Sequence, residues 1–240
     1  MHIPLITGPT CVGKTKVAVA LSELVQGEIM IADRFQIYKG FDLGSGRPTL
    51  AEIESGRYHL IGCFDAMNPL TDLTYLSIVA EETSNILSRG NIPIIEGGSK
   101  TYISLLLANR REILGESGEF MVFGLYRKEE EVDERILRTL EAGLERGFIG
   151  EVKQMIDSGH SHTLPFRQGI GYLDVAAYLA RDIGFEDMKT QILHNARRLA
   201  RSQMEYLRSI PNINWIHLSQ AKTSKGVAAE IAEMLDLKFR

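Results

Sequence analysis

Gly8-Pro9-Thr10-Cys11-Val12-Gly13-Lys14-Thr15 is the stretch that decides the fold. It meets the pattern G-x-x-x-x-G-K-[ST] at Gly8, Gly13, Lys14 and Thr15. Glycines let backbone N–H groups turn inward around phosphate oxygens, and the positive end of the following helix is directed at the same place. Lys14 adds a mobile charge, and the Thr15 hydroxyl is of the kind that ligates Mg²⁺. Ahead of the loop, Ile3 to Thr7 reads as a short buried strand. Behind it, Val17, Ala20, Leu21, Leu24 and Val25 fall on one helical face, which Gly27 can end. Strand, loop and helix are the context such a motif needs. The loop points to a diphosphate. It leaves the reaction open, with a small-molecule kinase as the default.

Working outward, Glu28 to Ala32, His59 to Phe64, Ile92 to Glu96, Phe120 to Tyr126 and Asn214 to Leu218 read as further strands. Helices are expected from about Asp72 to Arg89 and from Lys225 to Leu237. Strands separated by helices imply a parallel sheet covered on both faces. After Lys128 about eighty residues read mainly as helix, so residues 128–209 form a helical layer inserted before the last strand. Residues 1–127 and 210–240 supply the sheet core of a single domain, and the helical layer is expected to act as a lid or acceptor-binding region.

Composition narrows the class. The chain has 240 residues, 44% of them hydrophobic and 24% charged, which is ordinary for a globular enzyme. Two cysteines, Cys11 and Cys63, are too few for a disulfide framework, so a reduced cytoplasmic setting is expected. No apolar run reaches the roughly 18 residues that a membrane helix needs, and no basic leader precedes the first strand, so no membrane partner is expected. The six histidines show no metal spacing. A formal net charge of −4 speaks against a large nucleic-acid partner.

Asp33 emerges at the carboxyl end of the second strand, the edge where open α/β sheets bind ligands. A carboxylate there can act as general base on a nucleophile approaching a bound diphosphate, or serve as a turn or capping residue. Downstream, Gly44-Ser45-Gly46-Arg47-Pro48 offers hydroxyl and backbone donors. With GPTCVGKT (8–15), DRFQIYKGFDLGSGRP (33–48) and IPIIEGGSKTYISLL (92–106) in this order and spacing, the chain resembles the isopentenyltransferases, which place a five-carbon prenyl group on the N6 amine of adenine. The likeness runs on through Val132 to Ile136, Gly147-Phe148 and Gly171-Tyr172 to Arg197–Gln203 and Trp215, about nine-tenths of the chain.

The resemblance implies a P-loop fold of nucleoside-kinase type and changes the meaning of the loop. Gly8, Thr10, Cys11, Val12, Gly13, Lys14 and Thr15 would hold the diphosphate of dimethylallyl diphosphate rather than that of ATP. Asp33 matches the general base for the adenine N6 amine, and Thr10 the residue beside the bridging oxygen. Lys14, with Mg²⁺ on Thr15, would neutralise the departing charge. Arg135 matches one of two arginines that clamp the diphosphate. The second position falls on Thr139, with Arg138 one residue early, about 100° round the helix. Both arginines are also readable as solvated helix residues. Arg34, Gln36, Ser45, Gly98, Ser99, Gln168 and Ser202 fall on the acceptor side. Ile170 and Tyr172 fall on the prenyl pocket, where an apolar Ile170 favours the unhydroxylated donor. Phe35, Tyr38 and Tyr102 are further candidate pocket walls, and Glu96 a candidate metal or strand-end carboxylate.

The family has a branch acting on tRNA and a branch acting on free adenine nucleotides, and the motifs here are mixed. Only about twenty residues separate Gly98 from Phe120, which leaves no room for the RNA-gripping insertion of the tRNA branch. The sequence therefore points to AMP, ADP or ATP as acceptor, as in cytokinin formation. A tRNA adenosine dimethylallyltransferase and a P-loop kinase are the alternatives.

Overall fold

The computed structural model describes residues 2–219 and 221–237. The first apolar run forms β1 (His2–Thr7), and the phosphate-loop motif carries it into α1 (Lys14–Val25). There follow β2 (Gly27–Ile31), α2 (Leu50–Gly56), β3 (Tyr58–His59), α3 (Asp72–Ser88), β4 (Ile92–Glu96), α4 (Lys100–Ala108), α5 (Arg110–Leu114) and β5 (Glu119–Tyr126). The helical layer comes next, as α6 (Glu129–Glu145), α7 (Phe148–Asp157), α8 (Leu164–Gln168), α9 (Tyr172–Leu179) and α10 (Phe185–Arg208). Then come β6 (Asn214–His217) and α11 (Ser224–Met234).

The strands form one parallel sheet in the order β3-β2-β4-β1-β5-β6. Successive strand side chains point to opposite faces, and here both faces are buried. Ile6, Ile29, Ile94 and Phe123 pack against Val17 and Leu21 of α1 and Val227 and Ile231 of α11. Their neighbours Leu5, Met30, Ile95 and Val122 join the opposite core with Tyr75 and Val79 of α3, Ile103 of α4, and Phe148 and Tyr172 of the helical layer. This accounts for strands that read as continuous apolar runs. The fold is an α/β P-loop sheet with a helical layer before its last strand.

Strand order positions the site. β4 lies between β2 and β1, so the loops leaving these three strands stand side by side at one edge. Those loops carry Asp33, Gly97-Gly98 and Gly8–Thr15. An edge of this kind, where neighbouring connections diverge, is where open sheets bind ligands.

Three readings change. The strand expected at His59–Phe64 is only two residues long. Leu60 and Gly62 take positive φ of 67° and 60°, which breaks the ladder, and Phe64 makes only an isolated bridge to Tyr38. The sequence reading passed over α2, although Thr49-x-x-Glu52 is a capping box, with both reciprocal bonds formed. The closing helix stops at Met234 rather than Leu237. Among the described residues no helix is long and apolar enough to cross a membrane.

Candidate active site

The phosphate loop is shaped by two glycines. Gly8 has φ of 155°, and a Cβ there would lie 2.6 Å from the Leu125 carbonyl oxygen, so any side chain would collide with β5. Gly13, at φ 115°, leads into α1 with no side-chain cap, leaving the first-turn N–H groups open to an anion. The Lys14 ammonium donates to the Gly8 and Pro9 carbonyls at 3.2 and 3.1 Å, folded back over the loop. From behind, Arg127 donates to Val12 O at 3.0 Å and to Leu218 O at 2.6 Å.

The helical layer reaches the same loop through α6. Arg135 donates to Cys11 O at 2.5 Å, which places its guanidinium at the loop. Arg138 borders the cleft but is 76% exposed and pairs with Glu134 one turn back. At that level of the helix it is Thr139 that meets the loop, accepting from the Cys11 thiol at 3.5 Å. The one-residue offset in the sequence is thus a real rotation away from the loop.

Asp33 Oδ1 accepts from the backbone N–H groups of Phe35 and Gln36 at 2.8 and 3.2 Å. Burial pushes its carboxyl above the usual range, and those two bonds and the charge of Lys14 pull partly the other way. Glu96, 3% exposed at the end of β4, accepts from the Tyr58 hydroxyl at 3.2 Å. Burial raises its pKa to about 7 against the opposing pull of Lys14. Thr15 and Glu96 both line the cleft beside the loop. No group of three or more His, Cys, Asp or Glu that could hold a metal occurs among the described residues. Mg²⁺ at phosphate sites relies mainly on phosphate and water oxygens with one or two protein oxygens. Thr15 and Glu96 suit that arrangement.

One residue the sequence reading missed ties the site together. Gln203 of α10, 8% exposed, accepts from Thr10 N at 2.8 Å and donates to Gly98 O at 2.9 Å. It clamps the phosphate loop to the Gly-Gly turn, and a Cβ on Gly98 would come within 2.8 Å of its amide nitrogen. Its neighbour Ser202 accepts from the Lys100 ammonium at 2.5 Å. The Ser99 hydroxyl caps α4 by accepting from Tyr102 N at 3.4 Å.

The opposite wall is built around the Ser45 turn. Ser45 Oγ donates to Phe41 O at 2.5 Å, and Gln36 Nε2 donates to Ser45 O at 3.1 Å, while Gln36 Oε1 is buried without a partner among the described residues. Glu151 of α7 accepts from Leu43 N at 2.7 Å, Gly44 N at 3.2 Å and the Tyr172 hydroxyl at 2.8 Å. Tyr172 is fully buried among Phe41, Phe148 and Phe166. It backs the wall that Ile170 and Gln168 share. Of the other aromatics, Phe35 lines the cleft. Tyr38 and Tyr102 instead line a separate pocket of about 40 Å³, and Tyr102 is stacked on Tyr75 at 3.6 Å.

The cleft so enclosed measures about 800 Å³. Its lining holds eight lysines and arginines (Lys14, Lys16, Arg34, Arg47, Lys100, Arg135, Arg138, Arg146) against four carboxylates (Asp33, Asp42, Glu52, Glu96). A chain with net charge −4 therefore keeps a locally positive cleft, so its net charge does not describe the charge around the site.

A family model described as IPP transferase matches residues 36–119 and 108–210. A tRNA dimethylallyltransferase of Pelotomaculum thermopropionicum is 25% identical, with 95% of this chain and 94% of that protein covered. One of Oenococcus oeni is 25% identical over 233 residues, with 91% and 90% covered. The crystal structure of the full-length tRNA isopentenylpyrophosphate transferase from Bacillus halodurans superposes with a TM-score of 0.88 at 22% identity, covering 98% of this chain and 97% of that one. These names go against the expectation of free AMP, ADP or ATP as acceptor, with tRNA the disfavoured partner. Chain length does not separate the two branches either. The Oenococcus oeni protein carries its name although a 233-residue match takes in 90% of it, so it too is short. With the loop, Asp33 and the Gly-Gly turn assembled at one sheet edge, the match shows that this chain belongs to the IPP transferase family, whose members are prenyl-transferring enzymes.

Proposed function

We propose that this chain transfers the dimethylallyl group of dimethylallyl diphosphate to the N6 amine of an adenosine in tRNA and releases pyrophosphate. The observation that carries the reading is the adjacency of β2, β4 and β1, which sets Asp33, the Gly97-Gly98 turn and the phosphate loop side by side in one cleft. The names of the relatives supply the acceptor, and the positive lining of the cleft agrees with a polyanionic one.

The chemistry follows from the residues. Donor diphosphate lies in the loop, held by its N–H groups, Lys14 and Arg135, with the Thr10 hydroxyl beside the bridging oxygen. The adenine amine enters between Asp33 and the prenyl carbon. The N6–C1 bond forms as the C1–O bond breaks, and the N6 proton passes to Asp33. An aspartate raised by burial is a stronger base than an exposed one, which suits it to this step. Mg²⁺ held by Thr15 would spread the charge of the departing diphosphate. Ile170, with Tyr172 behind it, would enclose the prenyl chain. The region 128–209 would close over the acceptor through α6 and α10.

Pyrophosphate release from dimethylallyl diphosphate, followed with tRNA or AMP as acceptor, tests the reading. Release that needs tRNA, with AMP inactive, is expected. Release with AMP at an equal or greater rate would overturn it.

A further inference from the structure

The cleft holds more positive charge than a diphosphate donor can use, and its excess lies apart from the loop. Lys14 and Arg135 stand at the loop itself. Arg47 is paired with Asp42 and Arg138 with Glu134. Of the carboxylates, Asp33 and Glu52 are already engaged, one by the Phe35 and Gln36 N–H groups and one in the Thr49 capping box, and Glu96 by Tyr58. Lys16, exposed on the first turn of α1, stands at the loop with Lys14. That leaves, away from the loop, Arg34, Lys100 and Arg146 lining the cleft with no carboxylate within 4.0 Å among the described residues. Lys100 has one neutral partner, the Ser202 hydroxyl.

These three side chains come from separate elements. Arg34 leaves β2 beside Asp33 and also borders the small pocket with Gln168. Lys100 opens α4 immediately after the Gly-Gly turn, and Arg146 caps the carboxyl end of α6. Cations left unpaired around a cleft attract anions most strongly where low-dielectric walls focus their field. A single acceptor phosphate does not need three of them spread over three elements. A strand running through the cleft, with a phosphate on each side of the target nucleoside, does.

We infer that Arg34, Lys100 and Arg146 form the phosphate-binding track for the RNA strand flanking the modified adenosine. This rests on the tRNA reading above. It adds Lys100 and Arg146, from α4 and α6, to the acceptor side.

Binding of an adenosine-containing RNA hairpin is measured over a series of salt concentrations for the wild type and for Arg34→Ala, Lys100→Met and Arg146→Ala, with pyrophosphate binding measured alongside. Each substitution is expected to weaken RNA binding by about 3- to 10-fold at low salt and to lower the slope of log K against log salt by about one contact. Pyrophosphate affinity and unfolding midpoints should stay as in the wild type, and Lys100→Arg and Arg146→Lys should restore the slope. Unchanged slopes in the Lys100 and Arg146 variants, with the wild type binding and prenylating RNA, would overturn the track alone. Loss of pyrophosphate affinity in parallel would assign these residues to the donor and also overturn it. A wild type that does not bind RNA overturns the tRNA reading itself.

Discussion

Replacing Glu96 by Gln should raise the stability of the ligand-free protein at neutral pH, although the residue sits in the site. Glu96 is 3% exposed and its pKa is raised from 4.5 to about 7, chiefly by burial. The unfolded chain releases this proton near pH 4.5 and the folded protein keeps it to about 7. Between those values the folded state binds more protons, so stability falls as pH rises through the window and then levels. Each unit is worth about 1.4 kcal/mol, which sets the loss at about 3 kcal/mol. Gln cannot ionise, has nearly the same shape and can still accept from the Tyr58 hydroxyl. Urea unfolding at pH 4, 6 and 8 checks this. The two proteins should be alike at pH 4, and the variant about 2–3 kcal/mol more stable at pH 8. A variant less stable at pH 8, or a difference of the same size at pH 4, would refute the argument. Catalysis should suffer in the same variant, since a neutral amide is a poorer metal-side oxygen donor than a carboxylate.

Other consequences follow from single contacts. Gln203→Ala leaves Thr10 N–H and Gly98 C=O without their partner. At about 1–3 kcal/mol for each orphaned group, unfolding should come at distinctly lower urea and pyrophosphate affinity should drop about 10-fold or more; calorimetry showing full affinity would contradict the clamp. Glu28 lies far from the cleft, near the start of β2. Burial disfavours its charge, but bonds from Arg89, Asn91 and His59 outweigh that and lower its pKa to about 2. Its contribution is complete above about pH 4.5 and is lost as pH falls toward 2, so Glu28→Gln should cost about 2–3 kcal/mol at pH 7 and much less at pH 3. Glu151→Gln weakens a carboxylate that holds Leu43 N, Gly44 N and the Tyr172 hydroxyl. The expected result is a raised KM for the RNA acceptor with donor KM unchanged.

Local signals in the sequence carried the fold well. The phosphate loop, the apolar strand runs and the glycine stops each act over a few residues, and the sheet they imply is the one that forms. The Thr49–Glu52 capping box was equally local and could have placed α2. The two-residue β3 was beyond reach, because left-handed Leu60 gives no warning in its residue type. Within the site, Asp33, Lys14 and Arg135 were legible because a motif surrounds each. Glu151 was not, and Gln203, although it ends the Arg197–Gln203 stretch, carried no assigned role. Each works through backbone contacts more than 100 positions away along the chain, and nothing in a helical Gln or Glu marks it as a clamp rather than a solvated residue. The acceptor was misread for a different reason. Net charge and chain length are averages, whereas binding depends on the charge lining one cleft.

The central claim is that Asp33 takes the N6 proton while the loop holds the leaving diphosphate, with tRNA as the acceptor. It is tested most directly by single-turnover transfer from dimethylallyl diphosphate labelled in the prenyl group, using tRNA and AMP together, with wild type and Asp33→Ala. The wild type should place label in tRNA adenosine, and Asp33→Ala should transfer about two to four orders of magnitude less with pyrophosphate still bound. Label in AMP rather than tRNA, or near-normal transfer by Asp33→Ala, would contradict it.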